Sequence, residues 1–171
     1  LNVIQGARLG GAARIIAVDI SPAKLELAAT FGATDAVDAS DVPDVAEAIR
    51  TLTDGLGVDY AFEVIGKPAT IAQAFAAAKR GGKAVVVGAT GFADMVTVPG
   101  LSFCLEEKSL IGSLYGSATV TRDMPALVDL YMRGKLMLDE LVSRRIALDE
   151  VNDAFRAMEA GEVARSVIVY D

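Results

Sequence analysis

Short apolar runs alternate with helically periodic segments along the whole chain, and this alternation restricts the possible folds more than any other feature. Strand-like runs fall at residues 14–18, around 36–37, and at 58–65, 83–89, 109–116, 141–146 and 165–170. Between them the spacing predicts helices at 1–9, 21–31, 43–53, from Pro68 to the Gly81-Gly82 pair, 123–133 and 149–160. In the segment 43–53, Val45, Ala48, Ile49 and Leu52 follow the i, i+3, i+4, i+7 pattern of one buried helix face. The other helices carry comparable stripes: Leu25, Ala28 and Phe31; Ile71, Ala74, Phe75 and Ala78; Met124, Leu127, Val128 and Tyr131; Val151, Phe155 and Met158. The run "KAVVVGA" (83–89) is apolar without interruption, as in a strand covered on both faces. Residues 90–107 are less regular, with an extended piece near 95–98 and a helical turn at 101–106. This order implies an α/β fold with a doubly wound, mostly parallel sheet and helices on both faces. In such sheets ligands bind at the C-terminal tips of the strands, near the point where strand order reverses.

At 171 residues the chain has the size of one domain. Its 53% hydrophobic content supports a packed core, and it carries no repeat, low-complexity tract or linker. No apolar run approaches the ~20 residues of a membrane helix, and the first residues lack a signal pattern. A formal net charge of −7 argues against a nucleic-acid or anionic-membrane surface. The lone Cys104 forbids an internal disulfide, fits a reducing, cytoplasmic compartment, and reads as a small buried apolar residue. Histidine is absent altogether, which removes the usual general base near neutral pH and the commonest metal ligand. With one cysteine and no histidine, a structural Cys-rich zinc site is out of reach. No residue is assigned to catalysis or to metal binding, and the functional reading turns to ligand binding at the tips.

Asp19 ends the first apolar run. It is placed either to accept hydrogen bonds from a dinucleotide's ribose hydroxyls, where it would repel a 2′-phosphate, or to assist the helix start at Ser21. Lys24 either reaches the same ribose or stays a solvated helix lysine. At "FEVIG" (62–66), Val64 and Ile65 either cover a flat base or pack in the core. Gly88, in "VVVGAT", allows a close backbone approach. The neighbouring main-chain groups, and those of "GSLYG" (112–116), suit a carboxamide. Arg165 fits a pyrophosphate or a surface ion pair. A phosphate-cradling G-x-G-x-x-G is missing; counting back about 20 positions from Asp19 reaches residue 1 or beyond.

Together, "LNVIQGARLGGAARIIAVDISPAKLELAATFGATDAVD", "VDYAFEVIGKPATIAQA", "AVVVGA", "SLIGSLYG" and "DEVNDAFRAMEAGEVARSVIVYD" resemble the zinc-dependent, medium-chain alcohol dehydrogenases, in the alcohol or formaldehyde (thiol-adduct) dehydrogenase branch. The resemblance covers essentially the whole chain, in order. It implies an NAD-binding domain over 1–171 that is incomplete at its N-terminus, a Rossmann-like fold lacking its first strand and glycine loop. The zinc site, proton relay and substrate pocket would belong to an upstream catalytic domain. By the same resemblance, Asp19 and Lys24 would hold the adenosine ribose, and Val64, Ile65 and Gly66 would line adenine and ribose. Val87, Gly88 and Ala89, with Ser113, Leu114 and Tyr115, would fix the nicotinamide end, and Arg165 would contact the pyrophosphate. Strand 109–115 matches the family's dimer-forming edge. The implied reaction is hydride transfer between an alcohol or aldehyde and NAD, the chain alone being inactive. A thiol adduct of formaldehyde or a polyol are alternative substrates, and a non-catalytic nucleotide-binding or dimerisation module is the alternative class. Without the first strand, its two neighbours are expected to carry unpaired backbone groups.

Overall fold

The computed structural model describes residues 1–170. Seven helices and seven strands follow one another: α1 (Asn2–Leu9), β1 (Ile16–Asp19), α2 (Pro22–Phe31), β2 (Asp35–Asp38), α3 (Val45–Leu52), β3 (Val58–Glu63), α4 (Pro68–Ala77), β4 (Ala78–Val86), α5 (Leu101–Leu105), β5 (Ser109–Gly112), α6 (Val120–Met132), β6 (Arg144–Ile146), α7 (Val151–Glu159) and β7 (Ser166–Ile168). Every strand pair is parallel, as the alternation requires.

The strands form three separate ladders rather than one open sheet: β1–β2, β3–β4–β5 and β6–β7. Among the described residues β1 pairs only with β2, and β3 only with β4, so each keeps one edge unpaired. Helix α3 spans the two larger ladders. Its buried Val45, Ala46 and Ile49 form a cluster with Ala77, against which Ile16 of β1 and Val58 of β3 both pack. The helix starts where Asp44 accepts a hydrogen bond from the Glu47 N–H (3.0 Å), satisfying one donor of the first turn. Phe31 of α2 and Phe75 of α4 are the largest fully buried apolar side chains, each worth ~1.5–3 kcal/mol of burial.

Several elements depart from the sequence expectation. Helix α4 ends at Ala77, and Gly81-Gly82 does not stop it. The register passes from Val58↔Ala78 to Tyr60↔Lys83, so the glycines lie inside a bulge of β4. A Cβ on Gly82 would stand 2.8 Å from the Lys79 carbonyl oxygen and 3.0 Å from that of Val58, which explains the choice of residue. The expected strand 109–116 stops at Gly112, because Tyr115, Gly116 and Ser117 turn with φ of 51°, 67° and 54°. The stripes expected to be inward on α6 and α7 are largely uncovered: Met124, Leu127, Val128, Phe155 and Met158 are exposed, and α7 buries Ala154 instead. Ladder β6–β7 is only three residues long. Cys104 is exposed rather than buried, since it lies on the short surface helix α5, which has no buried residue.

Candidate functional site

The tip of β1 carries Asp19. Its Oδ1 accepts a hydrogen bond from the Ser21 N–H at 3.0 Å, holding the turn into α2. Its Oδ2 makes no hydrogen bond among the described residues. One oxygen therefore serves the turn and the other is open to a ligand, so the two readings of this acid are compatible. The start of α1 lies near it, within reach of the Asp19 charge. Helix starts present unpaired N–H groups and a positive dipole end.

Lys24, in the first turns of α2, reaches toward the turn after α7. Its Nζ lies 3.5 Å from where a Cβ on Gly161 would stand. Arg165, four residues further, leads into β7. Its carbonyl accepts hydrogen bonds from the Ser143 N–H (2.9 Å) and the Arg144 N–H (3.3 Å). The Arg165 side chain is exposed and makes no ion pair among the described residues. The fold thus brings the segment before Arg165 to α2.

A second group of residues meets where β3 and β4 end. Gly66 has φ +84°, which L side chains rarely adopt, and a Cβ there would stand 2.2 Å from the Ala89 carbonyl oxygen. A Cβ on Gly88 would stand 2.2 Å from the Gly66 nitrogen. The tips 64–66 and 87–89 are therefore in backbone-to-backbone contact, which only this glycine pair allows. Val64, Ile65 and Val87 stand exposed beside them, an apolar shelf rather than core packing. Ser113 joins the group by donating its N–H to the Val86 carbonyl at 2.8 Å. Leu114 and Tyr115 do not: they project into solvent at 82% and 83% exposure, carried away by the left-handed turn that follows.

The residue that binds these tips together was not singled out from the sequence. Glu63, the last residue of β3, is only 4% exposed. Its Oε1 accepts hydrogen bonds from the N–H groups of Ile65 and Gly66, both at 2.8 Å, and lies 2.7 Å from the Thr70 hydroxyl. Its main-chain carbonyl accepts from the N–H groups of Val87 (2.8 Å) and Gly88 (3.1 Å). Its Oε2 is buried without a partner among the described residues. The available signal was a single acid inside an apolar strand, which is rarely buried unless it is hydrogen-bonded.

Two hollows lie away from these tips. One, of about 380 Å³, is bordered by Tyr131, Met137 and Asp139. There the Tyr131 hydroxyl donates to Asp139 (2.7 Å), which holds its pKa above the ordinary value. The other, of about 150 Å³, lies under α7 between Phe155 and Ser166. Among the described residues no three His, Cys, Asp or Glu side chains come together as metal ligands, so these residues do not fit a zinc ion.

Parallel ladders flanked by helices, with an acid and a glycine pair at the strand tips, define an α/β domain of the doubly wound class. The family model of zinc-binding dehydrogenases matches residues 1–133, and the chain belongs to that family. Alcohol dehydrogenase-like 6 of Arabidopsis thaliana and alcohol dehydrogenase class-3 of Myxine glutinosa are each 38% identical over 98% of this chain. The matches take in 44% and 45% of those relatives. A crystal structure of an alcohol dehydrogenase zinc-binding domain protein from Burkholderia ambifaria superposes with a TM-score of 0.92 at 34% identity, covering 98% of this chain and 45% of that one. The chain spans less than half the length of these relatives.

Proposed function

We propose that this chain is the NAD-binding part of an NAD-dependent alcohol dehydrogenase, and that it positions the cofactor rather than the electrophile. The observation that carries the reading is the open Oδ2 of Asp19 at the tip of β1, beside the start of α1, in a member of the zinc-binding dehydrogenase family. The residues present fit a dinucleotide. Asp19 and Lys24 would hold the adenosine ribose, with Val64, Ile65 and Gly66 as the apolar shelf for the base. Val87, Gly88, Ala89 and Ser113 would offer main-chain groups to the nicotinamide carboxamide, and Arg165 would neutralise the pyrophosphate. Bound NAD would supply the ring that exchanges hydride with an alcohol or aldehyde. What this chain does is bind it, orient it, and reject a 2′-phosphate through the acid at the ribose.

In this reading the unpaired edges of β1 and β3, both packed on α3, flank the place of one more parallel strand, and the zinc-bearing catalytic domain belongs to a longer polypeptide. The open outer edge of β5 supports pairing with a second copy. The lone Cys104 suits a reducing cytoplasm. No helix among the described residues is long and apolar enough to cross a membrane.

The test is NAD⁺ and NADP⁺ titration of the full-length polypeptide, followed by turnover assays with primary alcohols, polyols, and formaldehyde with and without a small thiol. Preference for NAD⁺ with alcohol-dependent reduction is expected. NAD⁺ binding without turnover on any substrate would favour a non-catalytic binding module, and the absence of NAD⁺ binding would remove the reading altogether.

A further inference from the structure

The buried acid at the end of β3 is not explained by strand formation, because a strand end needs no carboxyl group and burying one is costly. Glu63 directs two of its three acceptor oxygens at the two tips. Side-chain Oε1 gathers the Ile65 and Gly66 N–H groups, and the main-chain carbonyl gathers those of Val87 and Gly88. The segments so gathered are the ones whose glycines touch, with 2.2 Å between a Gly88 Cβ and the Gly66 nitrogen. Backbone packed this closely has little freedom to drift, provided the N–H groups of one tip stay directed at a fixed acceptor. Thr70, in the first turn of α4, fixes that acceptor from the other side.

We propose that Glu63 is a positioning residue: its carboxyl group holds the 64–66 tip against the 87–89 tip, which its main-chain carbonyl holds, and thereby sets the affinity for a dinucleotide laid across them. The inference rests on the NAD-binding reading above and deepens it. Oε2 is buried without a partner among the described residues, and Glu63 acts through the backbone that Oε1 holds. What matters is then the location of one acceptor atom, not the acidity of the group.

Glu63→Asp and Glu63→Gln in the full-length polypeptide separate the two. Aspartate keeps the acid but withdraws the acceptor by one methylene, whereas glutamine keeps an acceptor oxygen in place. Glu63→Asp is expected to weaken NAD⁺ binding about tenfold, the scale of a lost hydrogen bond to a charged group, and Glu63→Gln by no more than about threefold. Both are measured well below the melting temperature, with KM for NAD⁺ rising in Glu63→Asp and kcat at saturating cofactor unchanged. A merely structural role would lower the active fraction, and with it kcat, without moving KM. Should Glu63→Asp fail to fold, Thr70→Val removes one of the three donors and is expected to raise the NAD⁺ Kd about threefold.

Unchanged NAD⁺ affinity in Glu63→Asp overturns the inference, as does unchanged affinity in Thr70→Val if that variant is the one that folds. Equal losses in Glu63→Asp and Glu63→Gln also overturn it, by showing that charge rather than placement counts. A wild-type protein that does not bind NAD⁺ removes the underlying reading and this inference with it. Wild-type binding with an indifferent Glu63→Asp removes the inference alone.

Discussion

Asp19 and Asp38 are register partners at the ends of β1 and β2, so two carboxyl groups stand on neighbouring strands above one edge of the ladder. Parallel neighbours run ~4.8 Å apart, backbone to backbone. Each acid is followed two residues later by a serine and accepts that serine's N–H, at 3.0 Å for Ser21 and 2.8 Å for Ser40. The Ser40 hydroxyl also donates to Asp38 at 2.5 Å.

Under the proposed NAD-binding role, this pairing bears on cofactor choice. Asp19→Ala in the full-length polypeptide is expected to weaken NAD⁺ binding about tenfold and to ease NADP⁺ binding. Asp38 leaves a second negative charge nearby, so adding Asp38→Asn should improve NADP⁺ binding further. Parallel titrations with both cofactors check this. An unchanged preference in Asp19→Ala would take that residue out of the site.

The Ser40 hydroxyl and then its N–H hold the Asp38 carboxyl below its usual pKa. A depressed folded-state value means a stabilising contribution that is present above the unfolded carboxylate pKa and lost as pH falls through the folded one. Ser40→Ala should be less stable than the parent at neutral pH, with the gap closing in the acid range. Denaturation at a series of pH values measures the gap. A constant difference would show that the hydroxyl acts without titration linkage.

At the tips, Gly88→Ala drives a methyl group into the Gly66 backbone and should cost about 1–3 kcal/mol. At Gly112 a Cβ would meet nothing within 4 Å, so Gly112→Ala should stay within about 0.5 kcal/mol. Thermal unfolding of the two variants side by side tests the contrast, and equal midpoints would contradict the close approach.

Phe75 is 1% exposed and lies 5.0 Å, centroid to centroid, from Phe103. Phe75→Ala leaves a cavity under α4 and should cost about 3–5 kcal/mol in urea unfolding. A loss below 1 kcal/mol would mean that neighbours collapse into the space.

Along β5, Ile111 is 41% exposed on a strand with one free edge. A lysine there is the usual guard against edge pairing, so Ile111→Lys should convert the proposed dimer to monomer in sedimentation velocity. An unchanged mass would place the interface elsewhere.

Much of this protein was legible without coordinates. The positions of the main helices and strands, their parallel pairing, and the placement of Asp19, Gly66 and Gly88 at strand tips follow from apolar spacing and turn residues, which act over a few residues of chain. The tertiary structure decided the rest. It put Asp38 beside Asp19, turned Gly81-Gly82 from a helix stop into a bulge, and gave Glu63 its backbone donors. It also left the apolar stripes of α6 and α7 and the thiol of Cys104 uncovered. These outcomes depend on which distant segment comes to lie alongside. A residue's own periodicity fixes which way it faces, and only the neighbour opposite decides whether that face is covered, hydrogen-bonded or left to solvent.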